Sequence, residues 1–431
     1  MKPSYAVATL GCKTNQFESV AMAEQLERAG FRAVDFAAGA DLVVINSCTV
    51  TGATDSQSRN LIRRARRLNP QARIIVTGCY AQVDPDRLAT LPGVAVVLGN
   101  QEKLSLDQHL QALDGAGGVQ VADISACKTV EALSLEGFDQ RSRAFVQIQN
   151  GCDAYCSYCI IPSARGPSRS VQADAVVGQI ERLVQNGYPE IVLTGIHIGQ
   201  YGQDLEPTTD LLALLRRIEA SRFQGRLRLG SIEPTEFSAD LSRYIAQADW
   251  ICPHFHIPLQ AGHADCLTRM NRHYSPEFYA ELVRGLERLC PDVAIGADVI
   301  AGFPGETEAE FAATFKLIEQ LPISHLHVFP YSRRAGTPAA ELPRQVAPAV
   351  IKERAAELRR LGEEKHGSYA ERFIGKQLEL VIEGGEEAGR RKGLSRHYLA
   401  VRVPAHAVTP GELVTVAVTE MQGSQLFAVP V

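Results

Sequence analysis

The chain has 431 residues, of which 45% are hydrophobic and 22% charged, with a formal net charge of −5. This balance excludes an intrinsically disordered chain, and no apolar run reaches the roughly 20 residues that a helix needs to cross a bilayer. The length accommodates about three domains of roughly 150 residues each.

The opening text, MKPSYAVATLGC, sets Cys12 behind a short apolar stretch as a lipoprotein cleavage site would, but that stretch falls short of the roughly 7 to 15 residues of a signal h-region. The ten cysteines are therefore expected in a reducing cytoplasm, where clustered thiols hold metals or do chemistry more often than they form disulfides. A mildly acidic chain binds nucleic acid only where its basic residues gather on one surface.

Residues 1–113 alternate short Val/Ile runs (YAVATL, DLVVIN, ARIIVTG, VAVVLG) with amphipathic stretches such as FESVAMAEQLERAG and DSQSRNLIRRARRLN. Strands separated by helical periods predict a doubly wound parallel α/β domain. From 114 to 143 the pattern dissolves into DGAGGVQ and polar text, which reads as a linker. A second series of strand-like runs follows, AFVQIQ, EIVLTG, RLRLGS, CPHFHI, VAIGADVI and SHLHVFP, each succeeded by a helical period. It predicts a full or partial (β/α) barrel over 144–368, closed by the helix VIKERAAELRRLGEEKHGSYAER. From 369 to 431, KQLELVIEGG, HYLAVRVP, GELVTVAVTEM and SQLFAVPV predict a small antiparallel β-barrel.

Two groups of cysteines stand out. Cys152, Cys156 and Cys159 lie within eight positions of NGCDAYCSYCIIPSARG, with no fourth cysteine nearby. Structural zinc needs a closed shell of four ligands, usually as two C-x-x-C halves, and no second half follows. A [4Fe-4S] cluster takes one thiolate per iron, so three thiolates leave one iron open to bind a substrate. Cys12, Cys48 and Cys79 are far apart in sequence, yet each falls just past a predicted parallel strand, in ATLGCKTNQ, VVINSCTVT and IIVTGCYAQ. Neighbouring strands end on one rim, so these loops can converge on a second open-site cluster; the alternative is three buried apolar cysteines. Cys127, Cys252, Cys266 and Cys290 have no comparable spacing.

Later barrel strands end in polar groups and glycine: Thr194 and Gly195, Ser231 and Glu233, His256 and Gln260, and Asp298. Such strand ends line a barrel's site, and glycine permits close approach of a ligand. Arg59, Arg63, Arg64, Arg66 and Arg67 give the helix after Cys48 a charge density suited to phosphates, with a solvated helix face as the alternative. Arg390, Arg391, Lys392 and Arg396 read as a basic loop of the C-terminal β-barrel.

A C-x-x-x-C-x-x-C loop directly after the first barrel strand resembles the radical S-adenosylmethionine enzymes. The resemblance implies that S-adenosylmethionine chelates the open iron. One electron then cleaves it to methionine and a 5′-deoxyadenosyl radical, which abstracts an unactivated hydrogen. Tyr158 matches the position that meets the adenine in such enzymes. The text TLGCKTNQFES, INSCTVT, GCYAQ, GCDAYCSYCIIPSARG, EIVLTGIHIGQYG, SIEP, HIPLQAG, DVIAGFPGE and FPYSRRAGTPA is similar, in order, to the methylthiotransferase family over nearly the whole chain.

That similarity implies replacement of C–H by C–SCH3, with two S-adenosylmethionines per turnover, one for methyl and one for the radical, and two [4Fe-4S] clusters. It further implies that the C-terminal barrel is a TRAM domain that binds RNA. The phrases TLGCKTNQFES and CTVTGATDSQSRNLIRRA look most like the branch acting on N6-threonylcarbamoyladenosine at position 37 of tRNA. The branches acting on isopentenyladenosine and on a ribosomal protein side chain tend toward GCQMN and GCPKN at the first cysteine. Ser47 stands where Thr is usual and Ala261 where Ser is usual. Expected partners are tRNA, an electron donor such as a flavodoxin or ferredoxin, and a sulfur source. The non-enzymatic alternative, an RNA-binding electron-transfer protein, gives no reason for open irons.

Overall fold

The computed structural model describes residues 2–110, 118–138 and 141–431. By packing, the chain forms two compact units. One comprises Met1–Leu135, Gln147–Gln172 and Ser332–Ala340; the other comprises Glu136–Val146, Ala173–Tyr331 and Glu341–Val431.

The first unit is built on strands β1 (Ser4–Thr9), β2 (Arg32–Ala33), β3 (Leu42–Ser47), β4 (Arg73–Gly78), β5 (Val94–Leu98) and β6 (Gly118–Gln120), all parallel in the order β2-β1-β3-β4-β5-β6. Alternate residues of the Val/Ile runs enter two separate cores. Val43, Ile45, Ile74 and Val76 pack with Ile62 and Ala65 of the helix Gly52–Leu68, whereas Leu42, Val44 and Ile75 pack with Met22 and Leu26 of the helix Lys13–Arg28. Helices on both faces explain why these strands are apolar throughout.

The stretch 114–143, expected to be a linker, contributes β6 to this sheet and a 3-10 turn, Ile124–Ala126, capped by Asp123. A three-residue strand of Gly, Val and Gln carries no periodic signal, so pattern reading passes over it. Residues 111–117 and 139–140 lie outside the described residues. The first unit also holds the antiparallel pair β8 (Gln149–Asn150) and β9 (Arg169–Ser170) that flanks the second cysteine group.

In the other unit, β7 (Ala144–Gln147), β10 (Glu190–Thr194) and β11 (Arg226–Arg228) form one sheet, and β12 (His254–His256), β13 (Ala294–Ala301) and β14 (His325–Pro330) another. Parallel bridges Leu227–Ile251 and Ser231–His256 join them edge to edge, which makes a partial (β/α) barrel. Strands β15 (Gln377–Glu387), β16 (Arg390–Ser395), β17 (Ala400–Pro404), β18 (Leu413–Gln422) and β19 (Gln425–Pro430) close into a small barrel around Leu380, Ile382, Val401, Val403, Val416 and Val418.

Strand β16 corrects the expected basic loop. RRKGLS lacks an apolar alternation, but the hairpin with β15 sets Glu386 opposite Arg391 and Glu387 opposite Arg390, so cross-strand charge pairing replaces the hydrophobic signal. No helix among the described residues is long and apolar enough to cross a membrane.

The small barrel is docked by buried charge. Glu190, the first residue of β10, accepts from Arg228 Nε at 2.9 Å and from Arg226 Nε at 2.7 Å. The same arginines donate to carbonyls of the small barrel, Arg226 to Leu394 at 2.6 Å and Arg228 to Ser395 and Arg396 at 3.0 Å each. Tyr398 stacks on His254 with ring centroids 4.3 Å apart and lies under Arg228. Glu190, Arg226 and His254 are the first residues of β10, β11 and β12, and Arg228 is the last of the three-residue β11.

Burial alone would raise the Glu190 carboxyl, but the two guanidinium groups outweigh it and hold it down at about 2. Its stabilisation is therefore complete above its ordinary value of 4.5 and is lost as pH falls through about 2. Glu190→Gln is expected to lower the unfolding free energy by about 3 to 5 kcal/mol at neutral pH, read by denaturant unfolding, because it leaves the Arg228 guanidinium buried without a carboxylate partner and Arg226 with only the part-exposed Glu379. Arg243→Ala, which removes one partner of an exposed pair with Asp240, should change it by less than about 0.5 kcal/mol.

Candidate active site

Cys12, Cys48 and Cys79 follow β1, β3 and β4, three adjacent strands paired in register from Thr9–Asn46 to Ser47–Gly78. Their loops therefore leave the sheet side by side on one rim, where β1 and β3 part toward opposite halves of the sheet; that is the crevice where open α/β sheets bind ligands. Cys48 and Cys79 are buried and Cys12 is exposed. Burial, with the neighbouring Cys79 and Cys12 thiols adding to it, pushes the Cys48 thiol up to about 11.

Gly11 lets the first loop come this close. Its φ is +91°, and a β-carbon there would stand 2.7 Å from Cys48 Sγ. Asn15 Nδ2 holds the loops together by donating to Leu10 O at 2.7 Å and to Ser47 O at 3.1 Å. Asn46 Nδ2 returns to Asn15 O at 2.9 Å.

Cys152, Cys156 and Cys159 occupy the loop between β8 and the short helix Ile161–Arg165. Backbone bonds shape it: Cys152 N donates to Gly166 O at 3.1 Å and Cys159 N to Cys156 O at 2.9 Å. Tyr155 adopts φ +45° and is 61% exposed, while Tyr158 is half-buried. The segment Ser332–Ala340 packs on the same unit. Arg334 donates to Asp55 at 2.7 Å and to Thr49 at 2.5 Å beside Cys48, and Ala339 N donates to Ser157 O at 2.8 Å beside Cys156.

Three thiols at each place are a donor set that would fit an iron–sulfur cluster, which takes thiolate ligands. Zinc with bonds of ~2.3 Å draws tetrahedral thiolates to about 3.8 Å of one another. The groupings that close to within 4.8 Å among the described residues are His256–Asp298–His327 and His263–Asp265–Glu310, and neither holds a cysteine. In the second of these the carboxylate is already taken, because Arg269 donates to both Glu310 oxygens at 3.0 Å.

The strand-end residues of the partial barrel are placed as follows. Thr194 is buried at the end of β10 with Gly195 after it, and Ser231 bridges to His256 at the end of β12. Glu233 is clamped by Arg272, with one contact of 3.1 Å. Gln260, at φ +63°, bridges to Val299 on β13. His256 Nε2–H donates to Asp298 Oδ1 at 2.9 Å, and His327 Nδ1–H donates to the same oxygen at 3.2 Å. Burial alone would raise the Asp298 carboxyl; the two imidazole donors outweigh it and hold it well below the usual carboxylate range. Both rings are thereby fixed in tautomer and tilt. His327 and Arg272 were missed from sequence; the alternation HLHVFP marks His325 and His327 as one face of β14, which was the available signal for His327.

Among the basic residues, Arg59 donates to Tyr80 Oη at 2.9 Å, beside Cys79, and Arg63 and Arg64 are exposed. Arg390 lies over the Phe427 ring, Arg391 pairs with Glu386 and Lys392 with Glu383, both at 3.3 Å. These acids partly neutralise the strand.

Residues 146–318 match the family model described as the Radical SAM superfamily, and residues 4–99 match that described as Uncharacterized protein family UPF0004. The fold is also that of the radical S-adenosylmethionine methyltransferase TsrM from Kitasatospora setae, at a TM-score of 0.60 and 17% identity over 83% of this chain and 89% of that one. Partial barrel, cysteine loop and family model together define a radical S-adenosylmethionine enzyme.

Among curated proteins the chain is 40% identical to the threonylcarbamoyladenosine tRNA methylthiotransferase MtaB of Bacillus subtilis, over 92% of this chain and 89% of that one. It is 38% identical to the protein of the same name from Aquifex aeolicus, over 88% and 92%. It is 31% identical to the tRNA-2-methylthio-N(6)-dimethylallyladenosine synthase of Desulfitobacterium hafniense, over 97% and 95%. The chain belongs to the methylthiotransferase family of radical S-adenosylmethionine enzymes.

Gly11→Ala is expected to destabilise the first unit by about 1 to 3 kcal/mol in thermal or denaturant unfolding, since it forces a positive φ on an L-residue and a clash on Cys48. Gly411→Ala also has positive φ but meets nothing within 4 Å, so it should lose only the smaller backbone part.

Proposed function

We propose that the chain converts N6-threonylcarbamoyladenosine at position 37 of tRNA, next to the anticodon, to its 2-methylthio derivative. The observation that carries this reading is the pairing of two three-cysteine sets in one chain with 40% identity to a threonylcarbamoyladenosine tRNA methylthiotransferase over 92% of its length. Action on isopentenyladenosine or on a ribosomal protein side chain is the alternative within the family.

In this reading Cys152, Cys156 and Cys159 hold one [4Fe-4S] cluster and Cys12, Cys48 and Cys79 a second. When bound, the first supplies the electron that splits S-adenosylmethionine and the second an open site for the sulfur to be transferred. The chain's own groups bind and orient. Tyr158, Thr194, Gly195, Ser231, Glu233, His256, Gln260 and Asp298 are the proposed S-adenosylmethionine contacts. Fixing Asp298 between two imidazoles and Glu233 against Arg272 keeps these carboxylates from rearranging when a nucleoside enters, which preserves near-attack geometry. Domain roles follow the sequence: 1–113 for the sulfur-bearing cluster, 144–368 for radical chemistry and 369–431 for gripping tRNA. A flavodoxin or ferredoxin as electron donor, a separate sulfur source and a cytoplasmic location complete the proposal.

Arg59, Arg63 and Arg64, with Arg390, Arg391 and Lys392, are the proposed phosphate contacts. Deleting the C-terminal barrel would strand Arg226 and Arg228, so point changes are the cleaner probe. Neutralising Arg390, Arg391 and Lys392 together should weaken tRNA binding and flatten its salt dependence by up to about 0.9 per lost phosphate contact, while S-adenosylmethionine cleavage persists.

The deciding experiment is mass analysis of tRNA nucleosides from cells with and without the gene. The expected result is 2-methylthio on threonylcarbamoyladenosine that disappears with the gene. Methylthio lost from dimethylallyladenosine or from a ribosomal protein instead would overturn the substrate. In the purified enzyme, Cys156→Ala should abolish 5′-deoxyadenosine formation. Cys48→Ala should leave that formation measurable and stop methylthio transfer, and iron should fall from about eight to about four per chain in either case.

A further inference from the structure

Beneath the Cys12–Cys48–Cys79 rim lie three ionisable side chains at 1% exposure or less: Glu18, Lys103 and Arg165. Arg165 Nη1 donates to Glu18 Oε1 at 2.7 Å and Nη2 to Oε2 at 3.0 Å. Lys103 Nζ reaches Glu18 Oε2 at 2.6 Å, Asn100 Oδ1 at 2.6 Å and Asn46 Oδ1 at 3.4 Å. Asn100 is oriented independently, because its Nδ2 donates to Ala164 O at 2.6 Å.

Three oxygen acceptors around one nitrogen require three N–H donors, so Lys103 is an ammonium even though burial lowers its affinity for the proton. The guanidinium keeps its charge, and Glu18, held down at about 2 by the two cations against its own burial, is a carboxylate. The triad carries two positive charges and one negative.

An uncompensated buried charge costs several kcal/mol unless an anion stands close by. The nearest candidate is the thiol rim. Asn100, which accepts from Lys103, points its amide at Cys79 Sγ from 3.9 Å. Both cations are coupled electrostatically to Cys79, and Arg165 to Cys12 as well. Asn15, three residues beyond Cys12, and Asn150, two before Cys152, both accept from Arg165.

We infer that Glu18, Lys103 and Arg165 form the counter-charge of the iron–sulfur group on Cys12, Cys48 and Cys79, and that their net positive charge favours its reduced, more anionic form. This rests on the two-cluster reading above. The three are positioning residues that act through the field they impose, since net charge around a cluster sets its potential.

The test uses full-length chain in which Cys152, Cys156 and Cys159 are Ala, loaded with iron and sulfide without oxygen, so that one cluster remains. Its midpoint is read by spectroscopically monitored redox titration. Lys103→Met leaves the balanced Glu18–Arg165 pair and should shift the reduced-to-oxidised ratio at fixed potential about tenfold toward oxidised, ~59 mV for one electron. Glu18→Gln should shift it in the opposite direction, and Arg165→Lys, which keeps the charge, should shift it least. Loss of mere packing would not give opposite signs for two changes in one contact set.

Shifts in the same direction, or none, overturn the inference while the cluster itself remains bound. Failure of the background chain to bind iron at all overturns both the inference and the two-cluster reading. Should Glu18→Gln not fold, Lys103→Met decides alone, because it leaves no charge unpaired.

Discussion

An ionised side chain taken out of water must find its counter-charge within a few ångströms, and each compact unit of this chain is organised around one such requirement. In the first unit, Glu18, Lys103 and Arg165 draw together the helix after Cys12, the turn after β5 and the end of the cysteine loop. In the second, Glu190 with Arg226 and Arg228 joins two barrel strands to the backbone of the C-terminal barrel. Hydrophobic packing would tolerate small slips at either place. A buried guanidinium forked onto a carboxylate does not, so these contacts fix register as well as adding stability.

Register matters because the cysteines stand just past the strand ends, Cys12 and Cys48 in loops and Cys79 at the start of a short helix. Three adjacent parallel strands end on one rim, and this alone brings Cys12, Cys48 and Cys79 together across 36 and 31 residues of intervening sequence. A sheet positions the points where loops begin and leaves their paths open. Asn15 and Asn46 close the remaining freedom by tying one loop to the backbone of the next. In the proposed reading, these amides do part of the ordering that ligation would otherwise have to do, which lowers the entropy cost left for a cluster on the three thiols.

Much of this was legible in the sequence because it is written in periodic apolar text. The parallel strands of the first unit, the barrel strands and four of the five C-terminal strands all announce themselves as Val/Ile/Leu runs, and the cysteines as strand-end residues. What escaped is charged or too short. Lys103 in NQEKLS and Glu18 in NQFESV look like solvated residues, since a sequence does not distinguish a buried ion from an exposed one until its partner is known. Arg165 is 147 residues from Glu18. The short strands β2, β6, β8 and β9 have no room for a period, and β16 pairs through charge. The asparagines carry a further signal: Asn46, Asn100 and Asn150 each stand at or just beyond a strand end and Asn15 in the first turn of the helix after β1, and all four belong to the network around the buried ions.

The mode of docking of the C-terminal barrel bears on how RNA is held in the proposed reaction. Glu190, Arg226 and His254 each begin their strands, whereas Thr194 and His256 end theirs. The small barrel is therefore fixed to the side of the partial barrel where these strands begin, away from the S-adenosylmethionine contacts proposed at their C-terminal ends. Its use to the reaction is geometric. A grip on tRNA through Arg390, Arg391 and Lys392 helps the target base only if the distance between grip and base is constant. A flexible tether would supply affinity without orientation. The buried arginines, by fastening Leu394, Ser395 and Arg396 to β11, attach the very strand that carries those basic residues, so an RNA held on β16 is held at a fixed place in the frame of the barrel strands.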